Sequence, residues 1–235
     1  MSSRNVLVLV DFQNDFMLRP SLMRIPAAVD DAENVIGLLG RKPEFFDLVL
    51  LTGDRHPSNH VGFNTSWKID GKTPEPFGVV TKEWFNQYGC DLVKGRTPMS
   101  PYPVDLWPEH CVKNTSGSCV YQPLLQAVER YTGKPAVVLW KGEDPDREEY
   151  AVPEERWRNI LPTDRVFIAG EAYDMCVAAT VDVLVGMQGA GRVTILKDCT
   201  STVSCSSHGD LTEEMKFREK KWEESGVTLA WSKSI

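Results

Sequence analysis

No segment of this sequence is apolar for long. The hydrophobic stretch nearest the N-terminus, "VLVLV", covers five residues before Asp11. That is far short of the roughly 20 residues a bilayer span needs, and too short for a secretory h-region. A reducing, cytoplasmic setting is therefore expected. The six cysteines (Cys90, Cys111, Cys119, Cys176, Cys199 and Cys205) are then expected to be free thiols. C-x-x-C pairs are absent, which argues against a cysteine-rich zinc knuckle. Basic charge is also short: 26 Lys and Arg stand against 33 Asp and Glu, a net charge of −7. A general nucleic-acid binder would want a basic face, and this balance offers none. It gives no attraction to anionic membranes either. The sequence lacks internal repeats, low-complexity tracts and linkers, so residues 1–235 are read as one domain. A chain of this length buries roughly three quarters of its unfolded surface and needs no disulfides to fold.

What the sequence does have is a rhythm. Runs rich in Val, Ile and Leu recur at 5–12, 47–53, 135–142, 164–170, 191–198 and 226–232. Each is continuous rather than alternating, the mark of strands buried on both faces. Helical periodicity lies between most of them, over 31–39, 120–130, 175–187 and 211–224. Strands alternating with helices predict an α/β fold with a mainly parallel sheet covered on both faces. Residues 53–118 break the rhythm with Pro, Gly, Asn and aromatic residues and no clear strand. Trp67, Trp84, Trp107, Phe63, Phe77 and Phe85 argue that this excursion is ordered, with short helices covering one end of the sheet.

Ligands in open parallel sheets bind beyond the carboxyl ends of the strands. Asp11 ends the first predicted strand, Asp54 the second and Lys141 the third; the fourth leads to Cys176 at a helix start. Taken singly, a strand-end Asp is often a turn residue, such a Lys a solvated one and such a Cys a small core residue. Together they form an activated-nucleophile set. A helix N-terminus and a nearby ammonium lower a thiol's pKa, and an adjacent carboxylate accepts its proton.

"GDRHPSNHVGF" (53–63) adds Asp54, His56 and His60, and His110 lies in "WPEHCVKNTSGS". Carboxylate and imidazole ligands suit Zn²⁺, Fe²⁺ or Mn²⁺ with positions left for water or substrate. A polar surface loop would look the same, and spacing alone does not choose between the two.

Five segments in order resemble the eukaryotic-type nicotinamidase branch of the isochorismatase-like hydrolase family: "VLVDFQNDF", "GDRHPSNHVGF", "WPEHCVKNTSGS", "KGEDPDREEYA" and "GEAYDMCVAAT". The resemblance implies a three-layer α-β-α fold with a six-stranded sheet of order 3-2-1-4-5-6. It implies hydrolysis of nicotinamide to nicotinate and ammonia through a thioester, in NAD salvage, with pyrazinamide as an analogue substrate. Asp11, Lys141 and Cys176 would be catalytic, and the backbone amides of Ala172 and Cys176 would form the oxyanion hole behind a cis peptide at Glu171–Ala172. A divalent metal, zinc foremost, would sit on Asp54, His56 and His110, with His60 ranked below them. Phe16 and Trp107 match positions that sandwich the ring, with Tyr150 and Tyr173 as lesser candidates. The expected partner is this small molecule alone; a homo-oligomer is compatible with the resemblance.

Glu171 departs from the family's small apolar residue and is expected either to face solvent or to reshape the pocket; Tyr173 is larger than many counterparts. Trp84, Trp140 and Trp157 are read as core residues and His208 as a loop residue, while Cys90 and Cys111 receive no role. Three other readings compete. A metal-free amidohydrolase of N-carbamoyl compounds would lack the metal motif, and a vinyl-ether hydrolase would lack Cys176. A zinc-stabilised binding module would have no use for the catalytic set.

Overall fold

The computed structural model describes residues 3–69, 71–82, 91–92, 104–203 and 211–235. Trp84, Phe85, Cys90, Cys205 and His208 lie outside them. Six strands form the main sheet: β1 (Asn5–Val10), β2 (Leu48–Asp54), β3 (Val137–Lys141), β4 (Arg165–Glu171), β5 (Val193–Ser201) and β6 (Thr228–Ala230). Their spatial order is β3-β2-β1-β4-β5-β6, and every pairing is parallel. This is the 3-2-1-4-5-6 order expected, and each strand falls within or close to its predicted run.

In β1, β2 and β4 the continuous apolar runs are explained by two-sided burial, while the edge strands β3 and β6 are only partly buried. On one face Leu7 and Leu9 pack with helix α1 (Ala28–Arg41) and helix α2 (Gln122–Thr132) through Ala28, Ala32, Val35, Leu124 and Val128. On the other face Val6, Val8 and Val10 pack with helix α3 (Ala178–Gln188) and helix α4 (Glu213–Ser225) through Val181, Leu184, Met215 and Trp222. Fully burying one such side chain stabilises by roughly 1.5–3 kcal/mol. Helix α4 starts at Thr212, whose side chain accepts from the Met215 amide at 3.2 Å, and stops at Gly226, whose φ of 109° suits glycine.

Two glycines permit close approach at the carboxyl edge. A Cβ on Gly170 (φ 134°) would collide with the Val10 backbone, and one on Gly142 (φ 67°) with the His56 ring. The excursion differs from its reading in one respect. Besides the short 3-10 turns at Asn64–Ser66 and Ser116–Ser118, it contains two antiparallel strand pairs, Trp67–Lys68 with Asp91–Leu92 and Gly78–Val80 with Val104–Leu106. Strands of two or three residues are too short to leave a period. Val61, Trp67, Val80, Val104 and Leu106 give this region a small core of its own.

Candidate active site

The parallel register sets the site. Val10 pairs with Gly170 and Asp54 pairs with Lys141, so β1, β2, β3 and β4 end together. Asp11 follows β1 with φ 51°, a left-handed conformation that Asp tolerates better than most residues. Lys141 is fully buried and central. Its Nζ lies 2.9 Å from Asp11 Oδ2 and 3.4 Å from Cys176 Sγ, and it pairs with Asp54 Oδ1. Thr52 Oγ1 donates to Asp11 Oδ1 at 2.6 Å. The expected trio is therefore assembled, with Asp54 drawn into it.

The electrostatics correct one expectation. Burial pushes the Cys176 thiol well above its ordinary value; Lys141 opposes this and Asp11 adds to it. In the thiol's balance, burial therefore outweighs the pull of Lys141. Burial also raises Asp11 against the pull of Lys141, making it a better proton acceptor. Lys141 is held firmly cationic, because its two carboxylates outweigh the cost of burying it.

A second constellation shares Asp54. Ligand atoms of Asp54, His56 and His110 lie within 4.8 Å of one another. His56 Nδ1 is 2.9 Å from Gly142 O, and His110 Nδ1 is 2.8 Å from Pro108 O. Donation to those carbonyls fixes each ring with its Nε2 lone pair available as a ligand, the arrangement metal histidines use. His56 Nε2 lies 3.6 Å from Asp54 Oδ2. Burial takes His110 down to about 4, so it is neutral at pH 7. His60 is spent differently. Its Nε2 contacts Arg147 O at 3.0 Å and its Nδ1 accepts from the Gly62 amide at 3.2 Å. That supports its lower rank, although His56, His60 and Glu148 also approach one another closely.

A narrow, mainly apolar cavity opens beside both sets. Phe16, Trp107, Tyr150, Ala172 and Cys176 line it with Asp54 and His110. Phe16 tilts against His110 with 5.5 Å between ring centroids. Trp107 Nε1 donates to Tyr150 Oη at 3.2 Å, and Tyr150 donates to Asp105 at 2.8 Å, which fixes that wall. The Glu171–Ala172 peptide is cis.

Three expectations are corrected. Tyr173 does not line the cavity: its ring lies in the opposite core beside Trp222, and its hydroxyl donates to Glu219 at 2.6 Å. Glu171 neither faces solvent nor lines the cavity, being fully buried between β4 and helix α1. Trp140 is half-buried under the Arg55 guanidinium rather than in the core, whereas Trp157 is a core residue.

No family model matches the chain. Curated relatives do. Nicotinamidases of Saccharomyces cerevisiae and Schizosaccharomyces pombe are each 28% identical, over 84% of this chain and 88% of that protein in the first case and 95% and 93% in the second. The structure of the yeast nicotinamidase Pnc1p superposes with a TM-score of 0.72 at 23% identity, covering 96% of this chain and 99% of that one. These likenesses give the chain the isochorismatase-like fold. A Pyrococcus horikoshii pyrazinamidase of the same fold, solved in complex with zinc, covers 97% of this chain and 99% of its own at 21% identity and a TM-score of 0.63.

Within this isochorismatase-like fold, three contributors were missed from sequence. Gln13 clamps the end of β2: its Oε1 accepts from the Asp54 amide at 2.7 Å, while its Nε2 donates to Asp54 O at 2.7 Å and Ser118 O at 2.9 Å. Asp15 accepts from the Cys111 amide at 2.7 Å, fixing the turn after His110. Glu148 lines the cavity with its carboxyl pushed up to about 7, by burial against the pull of His56. All three stand in the motifs above, Gln13 and Asp15 in "VLVDFQNDF" and Glu148 in "KGEDPDREEYA", but none was given a role there.

Proposed function

We propose that the protein is a nicotinamidase, hydrolysing nicotinamide to nicotinate and ammonia in NAD salvage and accepting pyrazinamide by the same route. One observation carries the reading: Lys141 touches Asp11, Asp54 and Cys176 at once, so a nucleophile set and a metal-ligand set meet at one cavity. The metal-free and vinyl-ether alternatives each need one of those sets to be missing.

Asp54, His56 and His110 fit a divalent cation, because both imidazoles are fixed with Nε2 free to ligate and the three residues' ligand atoms lie within 4.8 Å of one another. A cation bound there, zinc being our first choice, would supply an electropositive anchor for the ring nitrogen. Phe16 and Trp107 flank the flat ring and turn its carboxamide toward Cys176. Cys176 Sγ attacks the amide carbon as Asp11 takes the thiol proton, and Lys141 stabilises the sulfur's developing charge. The amides of Ala172 and Cys176 receive the oxyanion. Asp11 returns its proton to the departing ammonia, leaving a thioester. Water then releases nicotinate and restores the thiol.

Purified protein should form nicotinate and ammonia from nicotinamide in equal amounts, and Cys176→Ala should form neither. Folded, metal-loaded wild-type protein without turnover would overturn the reading, and appreciable turnover by Cys176→Ala would overturn the covalent route.

A further inference from the structure

Tyr173 faces away from the cavity, yet it opens the turn that carries Cys176. The π-helical turn Tyr173–Val177 follows Ala172 directly, and the amides of Met175 and Val177 both donate to Ala172 O at 3.0 Å. Consecutive side chains tie this turn to different neighbours. Asp174 accepts from the Val203 amide, just beyond β5, at 3.1 Å. Tyr173 is 1% exposed, and its hydroxyl donates to Glu219 Oε1 of helix α4 at 2.6 Å. The same carboxylate oxygen pairs with Lys197 of β5. Lys197 Nζ in turn lies 4.7 Å from the centre of the Tyr173 ring. Phenol, carboxylate and ammonium thus form a closed group with little exposure. Trp222 of helix α4 packs beside it, 6.1 Å from Tyr173 between ring centroids, and its Nε1 donates to Asp182 of helix α3 at 2.9 Å.

A hydrogen bond to an ionised acceptor is roughly twice as strong as one between neutral groups, and an adjacent ammonium favours the ionised form of Glu219. Burial takes the Lys197 ammonium down to about 8, which leaves it charged at pH 7. Burial, followed by the charge of Glu223, raises the Tyr173 phenol, so it keeps its proton and remains the donor. We propose that Tyr173 is a positioning residue: its bond to Glu219, steadied by Lys197, fixes the nucleophile turn on helix α4 and so sets Ala172 and Cys176 against the cavity. The kinetic consequence rests on the roles given above to Cys176 and the Ala172 amide; the anchoring does not.

The test pairs amide hydrogen exchange with kinetics, both on metal-loaded protein. Tyr173→Phe keeps the ring and removes only the bond. Exchange at Met175 and Val177 should rise about tenfold, with β1 unchanged. That readout needs no turnover, so it stands apart from any failure of nicotinamide as substrate. With nicotinamide, Tyr173→Phe should lower kcat about fivefold and hold KM within about twofold, because a shifted nucleophile and oxyanion donor are felt in the transition state. Glu219→Ala cuts the same bond from helix α4 and should repeat both effects, which keeps the test open where Tyr173→Phe fails to fold. Glu219→Gln keeps an acceptor and should retain kcat within about twofold. Wild-type exchange in the folded variants that lack the bond would overturn the anchoring. Faster exchange with wild-type kcat would overturn the positioning role.

Discussion

Strand β1 has an ion pair just beyond each of its ends, and the two are built on opposite plans. At the amino end Arg4 grips Asp164 through two nitrogens, Nε at 3.1 Å and Nη2 at 2.7 Å, and the Leu161 amide adds a third bond to that carboxylate at 2.8 Å. One cation meets one anion, and the guanidinium is about one-third exposed. At the carboxyl end a single buried ammonium serves Asp11 and Asp54 and also touches a thiol. The first arrangement is complete and has nothing left to offer a ligand. The second sets two carboxylates around one ammonium in a buried pocket, which suits it to accept a proton and a cation. The same strand, β1, thus separates a structural ion pair from a reactive one.

The contrast is broken most severely at Lys141. Lys141→Met should remove activity by about a thousandfold or more and cost roughly 3–5 kcal/mol of stability, because two buried carboxylates lose their counter-ion. Turnover and denaturant midpoint check the two parts. His110→Ala comes next: metal affinity should fall by about 100-fold or more with the fold retained, read by metal content after dialysis. Unchanged content would move the third ligand to His60 or Glu148. Arg4→Ala, at the other end, should cost only about 1 kcal/mol and leave kcat unchanged. Its signature lies in acid. Burial pushes Asp164 up, but its bonds to Arg4 and Leu161 outweigh this and hold it below the ordinary carboxylate range. The pair's contribution is therefore complete above the unfolded aspartate value near pH 3.9 and is lost as pH falls through the lower folded value. Arg4→Ala should flatten that part of the acid denaturation curve. A similar loss, about 1 kcal/mol but with no acid signature, is expected for Thr212→Ala, which removes the N-cap of helix α4 and leaves the site untouched.

The fold was legible because two-sided burial writes itself as unbroken apolar runs, as in β1, β2 and β4; the edge strands β3 and β6 are only partly buried but keep the same apolar character. Strand ends located Asp11, Asp54 and Lys141 without any resemblance. The resemblance named the roles and ranked His60 below His56, a ranking that its hydrogen bonds to Gly62 and Arg147 support. Four features stayed hidden for physical reasons. Glu148 reaches the cavity from a loop, where no period predicts direction. Tyr173 turns away because the residues after β4 wind into a π-helical turn, Tyr173–Val177, which sends neighbours to different sides of the sheet. Glu171 reads as a misplaced charge because the sequence does not show that the end of β4 turns it into the core toward helix α1. The thiol's upward shift follows from depth of burial, which sequence does not report.

The account turns on a cysteine set and a metal set acting at one cavity. Ammonia release from nicotinamide by purified protein, measured before and after chelation with circular dichroism recorded alongside, tests this most directly. The account predicts release that chelation stops and added divalent metal restores, with the fold unchanged throughout. Release that continues undiminished after complete metal removal would contradict it.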